Sequence, residues 1–141
     1  MVLQLSVATE ADVESIASIH LAAFDSNVLL HAQFPTAESL RGLQALLSQD
    51  ALNIIQNGRS SGKVILVVRD TQIDNQIISF AKWDLPETSA GSSHSDITWP
   101  MGCRQEYLDE YQEKAESTKN RIIGDTGCYR KPYISLSFHI I

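Results

Sequence analysis

The fold of this chain is decided by residues 63–84, which read K-V-I-L-V-V-R-D-T-Q-I-D-N-Q-I-I-S-F-A-K-W-D. Two runs rich in β-branched and aromatic residues, Lys63–Asp70 and Gln76–Asp84, flank a short polar stretch, Thr71–Asn75. This arrangement predicts a β-hairpin. Because the first run is almost continuously apolar, it predicts a central strand that is covered on both faces.

The sequence before the hairpin predicts one strand and three helical segments. Leu3–Ala8 alternates apolar and polar residues, as a strand does, and T-E-A-D at 9–12 resembles a capping box that opens an amphipathic helix reaching Phe24. Val28–Phe34 is a short helical piece or a loop, and Thr36 is placed to cap a third helix. The apolar face of that third helix includes Leu40, Leu43, Leu46 and Leu47.

The sequence after the hairpin predicts a loop, a polar helix and a last strand. Residues 85–102 are rich in Ser, Gly and Thr and predict an exposed loop. Arg104–Arg121 predicts a surface helix, and Tyr133–Ile141, which reads Y-I-S-L-S-F-H-I-I, predicts a strand with one buried face. The apolar stripe of the surface helix consists of Tyr107, Leu108, Tyr111 and Ala115.

This order of elements predicts one domain over residues 1–141, of the α/β (α+β) class. We expect a mixed sheet of about four strands with helices on its faces, and the last strand at or near the centre. No internal repeat or linker divides the 141 residues.

Composition excludes some classes of function. The 17 acidic residues outnumber the 11 basic ones, for a net charge of −6, so a broad nucleic-acid interface is not expected. No apolar run approaches the ~18 residues of a membrane span, and no signal peptide is recognisable. Cys103 and Cys128 lie far apart, which indicates free thiols in a reducing, cytoplasmic location. His94 and these two cysteines lack the spacing of a metal site, so we expect no metal.

Three segments together resemble a known family. Ala8–Phe24 (A-T-E-A-D-V-E-S-I-A-S-I-H-L-A-A-F) resembles the first strand–helix junction of the GNAT superfamily, the acetyl-CoA-dependent N-acetyltransferases. The hairpin, with W-D-L-P at 83–86, is similar to that family's second and third strands, and Leu136–Ile141 (L-S-F-H-I-I) to the end of its fourth. The Q-F-P at 33–35 and the inserted polar helix most resemble the fungal members. The resemblance covers nearly the whole chain and rests on the order of elements more than on any single motif.

The resemblance implies transfer of an acetyl group from acetyl-CoA to an amine. In the family the fourth strand meets the pantetheine arm and the acetyl oxygen, which implies that Phe138, His139 and Ile140 bind the cofactor. His139 is also the sharper candidate for a catalytic base, since a neutral imidazole can accept a proton near neutral pH. The alternative for His139 is a strand residue that faces solvent or a neighbouring helix.

The resemblance also implies an acceptor pocket built from the third strand and the first two helices. Asp84 is a catalytic candidate that takes the proton of the amine through water or holds the amine as a cation. The alternative is that Asp84 is a turn residue before Leu85-Pro86. Trp83, Asn27 and Phe34 are the candidates for substrate binding, with core packing and helix capping as the simpler alternatives. His20 lies on the apolar stripe of the first helix, which favours a hydrogen-bonded core histidine over a functional one.

The glycine-rich loop that cradles the CoA pyrophosphate in the family would follow the fourth strand, and the sequence does not contain it. We therefore expect an N-terminal fragment of the fold, without its C-terminal half and with limited or no activity. The alternatives are a non-catalytic GNAT-like binding or interaction module, or an unrelated small domain. The expected partner is a small-molecule or peptide amine acceptor, with no nucleic acid and no membrane. A homodimer through the C-terminal strand is a further expectation.

Overall fold

A computed structural model describes residues 2–85 and 98–122. Three strands form one antiparallel sheet in the order β1-β2-β3: β1 is Leu3–Val7, β2 is Lys63–Asp70 and β3 is Gln76–Asp84. The predicted hairpin and the central position of β2 are confirmed. The predicted fourth strand, Tyr133–Ile141, lies outside the described residues.

The part of the chain that the structure describes contains four α-helices, and three of them connect β1 to β2. Short 3-10 turns, Glu10–Asp12 and Gly58–Ser61, precede the first helix and follow the third. The helices are α1 (Val13–Ala23), α2 (Val28–Gln33), α3 (Ala37–Asn57) and α4 (Gln105–Ile122). The mixed α/β class is confirmed. None of these helices is long and apolar enough to cross a membrane.

The predicted capping signals act at both long helices that follow β1. Asp12 Oδ2 accepts hydrogen bonds from the backbone N–H (2.7 Å) and the hydroxyl (2.9 Å) of Thr9. These bonds close a 3-10 turn, so α1 begins at Val13, later than the capping box alone predicts. Thr36 Oγ1 accepts from the backbone N–H of Ser39 at 3.0 Å and caps α3 as predicted.

The main core lies between the sheet and the pair α1 and α3. Val67 of β2 is fully buried, and Ile65 and Phe80 are nearly so. They pack against α1 and α3 residues that include Ile16 and Ile54. The apolar β2 residues on the opposite face, Val64, Leu66 and Val68, are only half-buried, so the described residues cover one face of β2 fully and the other in part.

A second apolar cluster attaches α4 to the helical layer. Phe34, Leu43 and Leu108 are buried together, and Trp99 stacks at a tilt on Phe34 with ring centroids 6.1 Å apart. The partly buried members include the predicted α3 residues Leu40, Leu46 and Leu47. Of the predicted α4 stripe, Leu108 is buried, Ala115 is half-buried, and Tyr107 and Tyr111 are exposed. The helix is therefore a surface element held mainly by one leucine.

The described part of the segment before α4 is exposed at residues 98, 101 and 102 and less exposed at the two residues between them. Trp99 and Pro100 are half-buried, and the backbone N–H of Arg104 donates to Gln33 O at 2.8 Å. A Cβ placed on Gly42 would lie 2.3 Å from Pro100 Cβ, so the absence of a side chain lets this segment approach α3 closely. Residues 86–97 of the expected loop lie outside the described residues.

Candidate functional site

The third strand ends where the acceptor pocket is expected. Trp83 is half-buried and pairs across from Val64 on the sheet face opposite α1 and α3. Asp84 is the last residue of β3, in register with Lys63, and its side chain lies outside what the structure describes. Leu85 N–H donates to Gly62 O at 2.8 Å and fixes the backbone just beyond this point. The roles of Trp83 and Asp84 remain predictions.

Asn27 and Phe34, the other two substrate candidates, flank α2. Asn27 Oδ1 accepts hydrogen bonds from the backbone N–H groups of Leu29 (2.8 Å) and Leu30 (3.3 Å), so it caps α2. Phe34 ends α2 and is 2% exposed beneath Trp99. Asn27 therefore caps a helix and Phe34 packs in the core, and the contact of either side chain with a substrate remains a prediction.

His20 belongs to a cluster that joins three elements. Its ring lies 5.2 Å from the Phe24 ring and 6.3 Å from the Phe80 ring, measured between centroids. Beside them Lys82 of β3 donates to Asp50 Oδ2 of α3 at 2.5 Å. This contact places α1, α3 and β3 around one half-buried imidazole. The sequence singled out His20 only as a core histidine and gave no signal for its ionic neighbours.

The electrostatics of this cluster keep His20 neutral. Burial and, after it, the positive charge of Lys82 lower the pKa of His20 to about 4, while the carboxylate of Asp50 opposes them. A neutral imidazole at physiological pH can accept or donate a hydrogen bond, but with this pKa it is a weak base.

A groove of about 500 Å³ lies between α1 and α3. The hydroxyl of Ser48 is buried in its wall with no hydrogen-bond partner among the described residues. None of the predicted site residues lines this groove, so it is separate from the expected acceptor pocket. Its lining consists of Val13, Glu14, Arg41, Gln44, Ala45, Ser48, Gln49 and Leu52.

The described helix N-termini do not suit a pyrophosphate. Three of them have an acidic side chain at or near the first turn. Asp12 directly precedes α1, Glu38 lies in the first turn of α3, and Glu106 lies in the first turn of α4. A carboxylate there repels a phosphate group, whereas a phosphate site needs free N–H groups and positive potential. Within 2–85 and 98–122 no helix opens on a glycine-rich loop. The expected cofactor residues Phe138, His139 and Ile140 lie outside these ranges.

The described residues also hold no group of three or more His, Cys, Asp or Glu side chains placed to bind a metal ion. Cys103 is a half-buried free thiol in the second apolar cluster, and His94 and Cys128 lie outside the described ranges.

Comparison with known proteins gives a distant match in structure. No protein-family model matches the chain, and no curated protein matches its sequence. A solved structure from Corynebacterium glutamicum, described as histone acetyltransferase HPA2 and related acetyltransferase, is 19% identical and covers 86% of this chain and 84% of its own. Its TM-score is 0.41, a similarity that carries no argument about function.

Proposed function

We propose that this protein works as a GNAT-like N-acetyltransferase in the cytoplasm and transfers an acetyl group from acetyl-CoA to an amine of a small molecule or peptide. The supporting observation is the arrangement of the described elements. One strand, three helices and an antiparallel hairpin follow one another, with α1 and α3 packed on the same sheet face. The sequence resembles the family in this same order.

The position of β3 in the sheet supports the same proposal. Among the described strands β3 pairs only with β2, and none of them lies along its other edge. Tyr133–Ile141 has nine residues, as β3 does, and alternates as a strand with one buried face. On this proposal it pairs with β3 as the fourth strand and carries His139 into the sheet beside the third strand.

The proposed chemistry assigns roles to four of the candidate residues. Acetyl-CoA, when bound, supplies an acetyl group activated as a thioester. Asp84 holds the cationic amine or receives its proton through water, and His139 is the second candidate for proton acceptance. Trp83 forms a wall of the acceptor pocket, while Asn27 fixes the turn between α1 and α2 by capping α2.

The proposal includes a low activity for residues 1–141 by themselves. Three of the four described α-helices carry a carboxylate at or just before their first turn, and Asn27 occupies the N-terminal N–H groups of α2, so none of them offers a cradle for the pyrophosphate of CoA. The 141-residue polypeptide should therefore release no CoA above background when mixed with acetyl-CoA and a panel of amines. Turnover well above background would contradict this part of the proposal.

The activity itself is tested on the protein purified from its source cell through an N-terminal affinity tag. The assay follows release of CoA and the mass of the acetylated amine. Asp84→Asn is expected to lower kcat/KM at least tenfold, in the range that proton transfer contributes. Asp74→Asn, the same change in the exposed β2–β3 turn, is the matched control and should leave the rate unchanged. Failure of the wild-type protein to acetylate any amine would overturn the proposal.

The alternative is a non-catalytic binding or interaction module. It is favoured by one observation, an apolar sheet face that the described residues leave exposed at Leu3, Leu5 and Val7. A protein that acetylates nothing but associates through this face would support the module and exclude the enzyme.

A further inference from the structure

The groove between α1 and α3 takes no part in the proposed acetyl transfer, because none of the predicted site residues lines it. Its volume of about 500 Å³ falls within the range of small-molecule sites. Val13 of the lining is 7% exposed and belongs to the main core, and Leu52 packs against that core. Together with Ala45 they form the apolar part of the lining.

The two helices run antiparallel along the groove. Gln44 Nε2 of α3 donates to Ser18 Oγ of α1 at 3.4 Å, and Gln56 Nε2 donates to Glu10 Oε1 at 3.3 Å. The late part of α1 therefore lies beside the early part of α3, and the start of α1 lies beside the later part of α3. Glu14 lies midway between these two bonds along α1.

Opposite charges consequently lie at the two ends of the groove. Glu14 is level with the later half of α3, whereas Arg41 lies near the start of that helix. Their separation along the axis is roughly 13 Å, from ~9 residues of helix at a rise of 1.5 Å each. Both residues are exposed, and the described part of the chain gives neither of them an ion-pair partner. Each charge is therefore available to a ligand.

Polar groups with unused hydrogen-bonding capacity lie between the two charges. The hydroxyl of Ser48 is buried in the wall without a partner among the described residues. A buried hydroxyl without a partner is costly, and rotation about its Cα–Cβ bond can turn it toward the groove. Gln44 and Gln49 donate through Nε2, to Ser18 and Asn53, and their Oε1 atoms accept no bond from the described residues. A peptide backbone, with its N–H donors and C=O acceptors, matches these groups.

We propose that this groove binds a short zwitterionic peptide with an apolar middle residue. The carboxylate of the peptide pairs with the guanidinium of Arg41, and its ammonium pairs with Glu14. Its backbone groups bond to Ser48 and the glutamine amides, while its apolar side chain contacts Val13 and Leu52. Three extended residues span roughly 10 Å, and the long side chains of the two charged residues close the remaining distance.

Other classes of ligand match the groove less well. A nucleic acid is repelled by Glu14 and by the net charge of −6. An apolar helix laid in the groove would cover Arg41 and Glu14 without pairing them, which costs free energy. A lone anion would pair with Arg41 but leave Glu14 and the apolar lining unused.

Isothermal titration calorimetry of the chain with the tripeptide Gly-Leu-Gly tests the proposal. We expect a Kd of about 0.1–1 mM for a ligand of this size. N-acetyl-Gly-Leu-Gly lacks the ammonium and Gly-Leu-Gly-amide lacks the carboxylate, so each should bind about fivefold or more weakly. Gly-Ser-Gly, which lacks the apolar side chain, should also bind more weakly.

Charge variants identify which end of the groove holds which end of the peptide. Arg41→Gln should weaken Gly-Leu-Gly about fivefold and leave the affinity for the amide peptide unchanged, because that peptide has no carboxylate. Glu14→Gln should weaken Gly-Leu-Gly and leave the affinity for the N-acetyl peptide unchanged. Arg121→Gln and Glu113→Gln are the matched controls, since they make the same charge changes at exposed positions of α4.

Ser48→Ala separates a role in binding from a role in folding. It should weaken the peptide without lowering the urea midpoint of the unliganded protein, because the hydroxyl it removes has no partner there.

Three results would each overturn the proposal. They are a destabilised Ser48→Ala protein, no binding at about 10 mM peptide, and equal affinity for the capped and uncapped peptides. None of these readouts involves acetyl-CoA, so the peptide site and the proposed activity can fail separately.

Discussion

Replacing Asp12 by asparagine is expected to destabilise the junction between β1 and α1 more than any exposed charge substitution. Asp12 is 5% exposed, and its Oδ2 accepts from Arg69 Nη2 of β2 at 2.6 Å. The same oxygen accepts both hydrogen bonds from Thr9. Asparagine keeps an oxygen for Thr9 but removes the charge that compensates Arg69, whose side chain is 19% exposed.

The magnitude follows from that burial. Removing one partner of a buried ion pair costs roughly 3–5 kcal/mol, and partial solvation of the Arg69 guanidinium reduces this to about 2–4 kcal/mol. A domain of this size has a free energy of unfolding of about 5–15 kcal/mol, so the loss is a large share of it.

The assay is urea unfolding of wild type, Asp12→Asn, Arg69→Gln and the double variant. We expect a coupling free energy of about 1–3 kcal/mol between Asp12 and Arg69, because each single variant leaves the other residue without its partner. Glu110→Gln, which breaks the exposed pair with Lys114 in α4, should leave the unfolding midpoint unchanged. Additive Asp12 and Arg69 effects, or an Asp12→Asn loss no larger than that of Glu110→Gln, would show that Asp12 and Arg69 do not stabilise each other.

The same carboxyl predicts part of the acid sensitivity. Burial raises the pKa of Asp12, but hydrogen bonds from Arg69 and Thr9, with the charge of Arg69, outweigh it and hold that pKa below its usual value near 3.8. Its stabilisation is therefore present above pH 3.8 and lost as pH falls through the lower folded-state pKa. Asp12→Asn should flatten the stability profile in that acidic range.

Three further predictions test other parts of the structure. His20 has a pKa of about 4 in the folded protein and 6.5 when it is exposed in the unfolded chain. The free energy of unfolding should therefore fall by on the order of 3 kcal/mol as the pH is lowered from 6.5 to 4. Urea titrations at each pH should show that His20→Gln removes this fall. Gly42→Ala should destabilise the protein by about 1–3 kcal/mol despite the better helix propensity of alanine, because the added Cβ meets the rigid ring of Pro100. If thermal unfolding shows that the variant is more stable, the segment around Pro100 does not pack on α3. In urea unfolding, Val67→Ala should lower the free energy of unfolding by about 2–3 kcal/mol. Val7→Ala, on the sheet face opposite α1 and α3, should lower it by less than about 1 kcal/mol. Equal losses would contradict the assignment of the two faces.

The hairpin could be read from the sequence because its signals are local. The bounds Lys63–Asp70 and Gln76–Asp84 agree with the structure to the residue. Asp74 and Asn75 adopt positive φ values of 46° and 55° in the turn, a conformation these residue types tolerate. The Thr36 cap is likewise decided within a few residues of chain.

What the sequence could not predict depends on contacts between distant segments. The alternation in β1 shows that one face is apolar, but it does not say which face meets the helices, and the helices lie on the polar side. Phe34 was expected at a substrate pocket, whereas Trp99, far along the chain, packs over it. The ion pair between Lys82 and Asp50 beside His20 is also invisible to local patterns.

The candidate site was predictable only in part, for a related reason. Trp83 and Asp84 could be placed at the end of β3 from the hairpin alone. Asn27 was foreseen either as a substrate contact or as a cap, and the structure shows the cap. His139 lies outside the described residues, so its place beside β3 stays a prediction.

The proposed acetyltransferase activity is best measured as acetyl-CoA-dependent acetylation by the protein purified from its source cell, read by product mass over a panel of small-molecule and peptide amines. We expect at least one acetylated amine, formed at a rate that Asp84→Asn lowers at least tenfold and Asp74→Asn leaves unchanged. Absence of any acetylated product, together with no effect of acetyl-CoA on thermal unfolding, would contradict it.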